Sequence, residues 1–173
     1  EISNRMLSRL EYIKYQPEVI IDAGSGTGYG SQQLAKRYPA SQLIAVDIAW
    51  AMLSYARPET TWWQRLLPMQ QRTDYVCADI EQIPFKNESV GMIWSNLAFQ
   101  WCNDLEHTFA EMYRILRADG LLMFSTFGPD TLKELRASFS DGYVHTQRFA
   151  DMHDYGDMLL ACGFADPVMD VDV

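Results

Sequence analysis

Long apolar runs, positive charge, cysteine and histidine are all scarce in this sequence. No uninterrupted apolar stretch approaches the roughly 20 residues of a membrane-crossing helix, so no membrane association is expected. The opening residues carry Arg5 and Arg9 among polar neighbours and lack the charged-then-apolar order of a secretory leader. Only 14 Lys and Arg stand against 23 Asp and Glu, a net charge of −9. That balance argues against broad nucleic-acid binding, which needs a basic face to displace counterions. The cysteines, Cys77, Cys102 and Cys162, are far apart and form no C-x-x-C pair. They read as reduced, mostly buried thiols of an intracellular, cytoplasmic protein. His107, His145 and His153 form no metal-binding spacing, and no metal is expected.

What is present is an alternation of strand and helix within 173 residues, 48% of them hydrophobic. This suits one domain spanning residues 1–173. Short runs, apolar on both faces, fall at 19–23, 42–47, 74–78, 90–95 and 121–126. Parallel strands covered on two sides read this way. A helix is expected over 104–117, with Leu105, Phe109, Met112 and Leu116 on one stripe. Asn103 with Glu106 fits a capping box at its start, and Gly120 fits a stop past its end. Further helices are expected from near Asp130 and over 154–162, the latter stopping at Gly163. Residues 164–173 read as the start of a sixth strand. The alternation predicts an α/β, Rossmann-like, doubly wound and mostly parallel sheet. The stretch 58–72, with Trp62 and Trp63, reads as an excursion packed on the body.

The first strand, Val-Ile-Ile-Asp-Ala, runs into Gly24-Ser25-Gly26-Thr27-Gly28. Glycines permit positive φ and let a ligand approach the backbone. The helix that follows offers N–H groups and a positive dipole end to a carboxylate or phosphate. A dinucleotide fingerprint counted from Gly24 would need glycine at position 29, which is Tyr29. Two more acids stand at successive strand ends. Asp47, followed by Ile48, closes the second strand, where a carboxylate can accept both hydroxyl hydrogens of a ribose. Asp79, followed by Ile80, closes the third. The fourth strand leads into Asn96-Leu97-Ala98-Phe99-Gln100-Trp101.

The G-x-G-x-G spacing, the acid Asp22 two residues before it, and the Asp-x-x-x-x-Pro-Phe phrase over 79–85 resemble the class I methyltransferases. That resemblance implies S-adenosyl-L-methionine (SAM) as cofactor. The expected binding residues are Asp22, Gly24, Ser25, Gly26, Gly28, Asp47, Ile48, Asp79, Ile80, Asn96 and Leu97. In that family the acid matching Asp79 meets the adenine amino group, and the residue matching Ile80 lies by the ring. More specific phrases follow: Trp94 to Asp104, Ser125-Thr126-Phe127-Gly128-Pro129-Asp130-Thr131-Leu132, Arg148 to Asp154, and Gly163 to Asp170. Together they resemble the malonyl-acyl-carrier-protein O-methyltransferases of biotin synthesis. Ser25 replaces a common Cys, Val90-Gly91 replaces a common Phe-Asp, and Ala118-Asp119-Gly120 replaces Pro-Gly-Gly. The family closes its sheet with two further strands and has an N-terminal cover. This chain is therefore expected to be truncated at the C-terminal edge of the sheet.

The family implies methyl esterification of the carboxyl group of a malonyl thioester, with acyl carrier protein as partner. Esterification removes a charge that apolar elongation tunnels accommodate badly. The carboxylate is already ionised near neutral pH, so no catalytic acid or base is expected. Arg148 is the candidate for holding the substrate carboxylate. Gln100, Trp101 and Phe127 are candidates for the acceptor cavity. Lys133 and Arg136, i and i+3 on one predicted helix, are candidates for docking an acidic carrier. Arg114 with Arg117 is a second such pair, and Arg5, Arg9 and Lys14 are further contributors. Three readings stay open beside this one: a methyltransferase of another small molecule such as a quinone precursor, a methyltransferase-fold assembly factor or protein-arginine hydroxylase, and an NAD-binding oxidoreductase. Oligomeric state is not legible.

Overall fold

The computed structural model describes residues 1–58, 73–138 and 149–171, and the expected excursion with Trp62 and Trp63 lies outside them. Among the described residues five strands form one parallel sheet: β1 (Val19–Ala23), β2 (Gln42–Asp47), β3 (Thr73–Cys77), β4 (Val90–Asn96) and β5 (Leu116–Ser125). Their order is β3-β2-β1-β4-β5, so the chain reverses direction across the sheet between β1 and β4. Six helices accompany them among the described residues: α1 (Ile2–Arg9), α2 (Tyr29–Arg37), α3 (Trp50–Ala56), α4 (Leu105–Ile115), α5 (Lys133–Ser138) and α6 (Met152–Ala161). None is long and apolar enough to cross a membrane.

The period-2 geometry of the strands divides the core into two layers. Ile20 pairs with Leu43 on one side and Met92 on the other. These three join Met6, Leu10, Leu34, Tyr38 and Trp94 on the α1–α2 face. Ile21, one residue on, pairs with Ile44 and Ile93. These join Phe109, Met112, Tyr155 and Leu159 on the α4–α6 face. Each such side chain, removed from water, contributes roughly 1.5–3 kcal/mol of transfer free energy. That double burial is why the strands read as continuous apolar runs rather than as alternation. Phe99, Phe109, Phe124 and Tyr155 form one aromatic cluster, with Phe99 and Phe109 edge-to-face at 5.5 Å.

The expected strands 19–23 and 42–47 are found to the residue. Several boundaries differ. The N-cap of α4 is Asp104, whose side chain accepts from His107 N, not Asn103. Asn103 is engaged elsewhere, by Glu81. Gly120 does not stop the helix: α4 ends at Ile115, Leu116 is already extended, and Gly120 lies within β5. The last helix starts earlier than expected, because Asp151 and Asp154 form a capping box. It ends at Ala161, one residue before the expected 162, with Gly163 beyond it at φ +100. The helix expected from near Asp130 begins at Lys133. Residues 164–171 form no strand. Asp166 is left-handed, and Pro167 has no N–H to give to a ladder.

Candidate functional site

A cavity of about 360 Å³ opens at the carboxyl edge of the sheet. In open α/β sheets this edge, near the reversal of strand order, is where ligands bind. Four segments line it: Gly24 after β1, Asp47 and Ile48 at β2, Asp79 to Glu81 after β3, and Leu97, Ala98 and Trp101 to Asn103 after β4. It is therefore assembled from four successive strand ends rather than from one loop.

The glycine loop is built around its own hydrogen bonds. Gly24 N and Ser25 N both donate to Val46 O at 2.9 Å, and Gly28 N donates to Ser25 O. Gly26 N donates to Asp47 Oδ2 at 2.8 Å. Asp47 Oδ1 accepts from Ala49 N, also at 2.8 Å. One carboxylate thus fixes both the loop and the start of the segment after β2. Gly24, Gly26 and Gly28 all have positive φ, but for different neighbours. A Cβ on Gly24 would sit 2.3 Å from the Ala98 Cβ, and one on Gly28 would sit 2.8 Å from the Ala56 Cβ. A Cβ on Gly26 would meet nothing within 4 Å. Gly24 and Gly28 are needed for packing, while Gly26 leaves open space.

The helix dipole expected to attract a ligand has a partner inside the protein. Asp22 is fully buried, and both the Ser31 N–H and the Ser31 hydroxyl, 2.5 Å from Oδ2, donate to it. Ser31 lies in the first turn of α2. Burial raises the Asp22 pKa from the ordinary 3.8 to about 6; the Ser31 hydrogen bonds oppose the shift and the Asp47 charge adds to it. The cross-strand neighbour of Asp22 is Trp94, whose buried Nε1 has no hydrogen-bond partner among the described residues. Gly30 fits against both: a Cβ there would lie 3.2 Å from Asp22 Oδ2 and from Trp94 Nε1.

Asp79 lies two residues past β3 and not at its end. Its Oδ1 accepts from Glu81 N at 2.9 Å and caps a short 3₁₀ turn, Ile80–Gln82. Glu81 reaches on across the cavity. Its Oε1 accepts from Asn103 N and Nδ2, both at 3.0 Å, and its Oε2 accepts from Asp104 N at 3.1 Å. The Asn103 N–H, first among these donors, holds the Glu81 carboxyl below its usual pKa. Leu97 is left-handed at φ +54, and its N–H donates to both Ser125 O and Ser125 Oγ.

Of the residues expected at a cofactor, Gly24, Asp47, Ile48, Asp79, Ile80 and Leu97 line this cavity, as does Trp101 from the acceptor set. Gly26 and Gly28 belong to the loop behind it. Asp22 and Ser25 are buried, Ser25 with its hydroxyl unpartnered among the described residues. Asn96 ends β4 and accepts from Ser125 Oγ. Gln100 is buried, its Nε2 donating to Leu97 O at 2.7 Å. Phe127 packs edge-to-face on Phe149 at 5.4 Å. Lys133 is exposed and pairs with Asp130. Arg148 and the Arg136 side chain lie outside the described residues. Glu81, Cys102 and Asn103 were not expected, and only the contact between two loops far apart in sequence reveals them.

Other expectations are corrected. Arg114 and Arg117 do not share a helix face. Arg114 pairs with Glu111 and donates to Ile83 O and Phe85 O, while Arg117 lies in β5 and pairs with Glu18. Arg5 and Arg9, which stay candidates, make exposed pairs with Glu1 and Asp170. The thiols are not mostly buried: Cys77 is exposed and the other two are half-buried. Burial still pushes the Cys102 thiol up to about 11. Among the described residues no group of His, Cys, Asp or Glu is arranged to hold a metal.

Comparison with known proteins gives three findings. A family model described as "Methyltransferase domain" matches residues 21–124. A malonyl-[acyl-carrier protein] O-methyltransferase of Gallionella capsiferriformans is 56% identical over 99% of this chain and 60% of its own length. The same name and coverage belong to a 56% identical relative from Nitrosospira multiformis. The chain thus spans about 60% of the length of these curated relatives. A solved structure of Haemonchus contortus phosphoethanolamine N-methyltransferase 2 in complex with S-adenosyl-L-methionine superposes with a TM-score of 0.72. It covers 94% of this chain and 37% of that one at 21% identity, a likeness of fold alone.

Proposed function

The chain belongs to the methyltransferase domain family, and from that premise we propose that it binds SAM at the carboxyl edge of the sheet and methylates the carboxylate of malonyl-acyl carrier protein, an early step of biotin synthesis. The observation that carries the cofactor half is the convergence of Asp47, at the end of β2, and Asp79, two residues past β3, on one cavity that Gly24 also lines. The acceptor half rests on the 56% identical relatives and on the phrases from Trp94 onward.

The residues present fit the cofactor. Each Asp47 oxygen accepts one backbone N–H, leaving each a further lone pair for a ribose hydroxyl. Ile48 and Ile80 offer apolar surface to a base, and Asp79 offers an acceptor to its amino group. Gly24, which lines the cavity without a side chain, admits a ligand close to the backbone. Asp22, Ser25, Gly28 and Asn96 support the loop and strand ends from behind. When bound, SAM supplies an electrophilic methyl group on a sulfonium.

The side chains then have only to bind, orient and exclude water. A malonyl carboxylate is ionised at neutral pH, so no residue need remove a proton. Holding reacting atoms in line can contribute roughly 7–11 kcal/mol. Leu97, Gln100 and Trp101 belong to the loop on the acceptor side, where the half-exposed Leu97 and the exposed Trp101 ring screen the cavity. Arg148 is assigned the substrate carboxylate. Its neighbour Phe149 packs on Phe127 just past β5, the side of the sheet on which the acceptor loop lies. Lys133 and Arg136 are assigned to the acidic carrier. The exposed Lys133–Asp130 pair is worth at most about 1 kcal/mol and is easily exchanged. A cytoplasmic site of action accords with this substrate.

The test is methyl transfer from labelled SAM to malonyl-acyl carrier protein, malonyl-CoA and free malonate. A base-labile ester on the carrier-bound substrate is expected. Absence of ester from every malonyl thioester overturns the acceptor assignment.

A further inference from the structure

The cavity has two walls that belong to different parts of the chain. One is the turn Asp79 to Glu81 after β3; the other is the loop Leu97 to Asn103 after β4. The second wall is braced within itself. Trp101 N donates to Ala98 O, Cys102 N to Phe99 O, and Gln100 Nε2 to Leu97 O. It is also anchored at its beginning, where Leu97 N donates to Ser125. At its end the anchor is Glu81, whose two carboxylate oxygens accept Asn103 N, Asn103 Nδ2 and Asp104 N. Asp104 in turn caps α4 through His107 N.

We propose that Glu81 is a positioning residue: its carboxylate clamps the acceptor-side loop to the cofactor-side turn and so sets the width of the cavity. Three features support this beyond general stability. Glu81 and Asn103 both line the cavity, so the clamp closes across the ligand space itself. The clamp takes backbone N–H groups at the start of α4, where a negative charge is favoured by the helix dipole. Its own N–H is fixed by Asp79, so displacing Glu81 also disturbs the acid assigned to the base. Gln at position 81 would keep shape and one acceptor oxygen, but its NH₂ would face the Asp104 N–H donor. The role rests on the SAM reading, and the experiment separates the two.

S-adenosylhomocysteine titrated calorimetrically into the protein, Glu81→Gln and Glu111→Gln distinguishes them. Glu111→Gln is the control: it breaks the Arg114 ion pair on the same α4 without touching the cavity. Glu81→Gln is expected to weaken binding roughly tenfold, as loss of a charge-assisted hydrogen bond does. With substrate, it should raise KM for SAM while kcat at saturation changes less than about twofold. Asn103→Ala should weaken binding less, and adding it to Glu81→Gln should cost little more, because the two share the clamp. Wild-type affinity in Glu81→Gln, or an equal loss in Glu111→Gln, overturns the positioning role. Failure of the unaltered protein to bind S-adenosylhomocysteine overturns the cofactor reading itself, and this inference with it.

Discussion

Asp47 Oδ2 accepts the Gly26 N–H at 2.8 Å, joining the end of the second strand to the middle of the glycine loop. The same carboxylate accepts Ala49 N through its other oxygen. A residue expected to hold a ribose is therefore also the fastening of the loop beside it. Replacing it disturbs both.

Asp47→Ala is expected to abolish measurable S-adenosylhomocysteine binding by calorimetry. It should also lower unfolding stability by about 1–3 kcal/mol, from two backbone donors left unpaired. Chemical denaturation followed by circular dichroism measures the second effect. Binding that survives intact would show that Asp47 only fastens the loop.

The three loop glycines should not respond alike to alanine. Gly24→Ala places a Cβ 2.3 Å from Ala98 in a left-handed conformation and is expected to cost about 3 kcal/mol or more. Gly26→Ala meets no atom within 4 Å and should cost only the left-handed penalty, about 1–2 kcal/mol. Thermal melts of the two variants give the comparison directly.

Asp22 makes stability depend on pH. Its pKa is raised from 3.8 to about 6, so the folded state binds its proton more tightly than the unfolded state does. The corresponding stability is fully present below about pH 4 and is lost as pH rises through about 6. The shift corresponds to about 3 kcal/mol, and Asp22→Asn should remove most of that pH dependence. Urea titrations of both forms at pH 4, 5, 6 and 7 test this; parallel pH profiles would contradict it.

Alkylation should separate the thiols. Cys77 is exposed, whereas burial raises the Cys102 thiol to about 11 and leaves little thiolate at neutral pH. Iodoacetamide at pH 7.5 is expected to label Cys77 well before Cys102, read by peptide mass spectrometry.

Phe109 is fully buried and touches Phe99, Phe124 and Tyr155. Phe109→Ala is expected to destabilise by about 3–5 kcal/mol in denaturant unfolding.

Much of this architecture was legible because its signals are local. The first two strands are bounded to the residue, since their apolar runs end at loop residues whose character is unmistakable. The acids Asp47 and Asp79 stood out through their place after such runs. What was not legible depends on distant partners. Asn103 and Asp104 are equally good caps in isolation; Glu81, 22 residues away, takes Asn103 and leaves Asp104 to cap. Gly120 looks like a helix stop, but pairing of Leu116 with Val90 pulls the chain directly into β5. The left-handed Leu97 carries no signal at all, because no sequence rule places a branched aliphatic residue there. Leu97 and Trp101 of the second wall were expected, but its fastening to Glu81 was missed for the same reason: it exists only once two loops meet.

If the cavity lined by Gly24, Asp47 and Asp79 is a SAM site, it discriminates between two nucleotide cofactors. Isothermal titration of the protein with S-adenosylhomocysteine and, separately, with NAD tests it most directly. One equivalent of S-adenosylhomocysteine bound, with no heat from NAD, is the predicted result. Tight NAD binding without S-adenosylhomocysteine binding would contradict it.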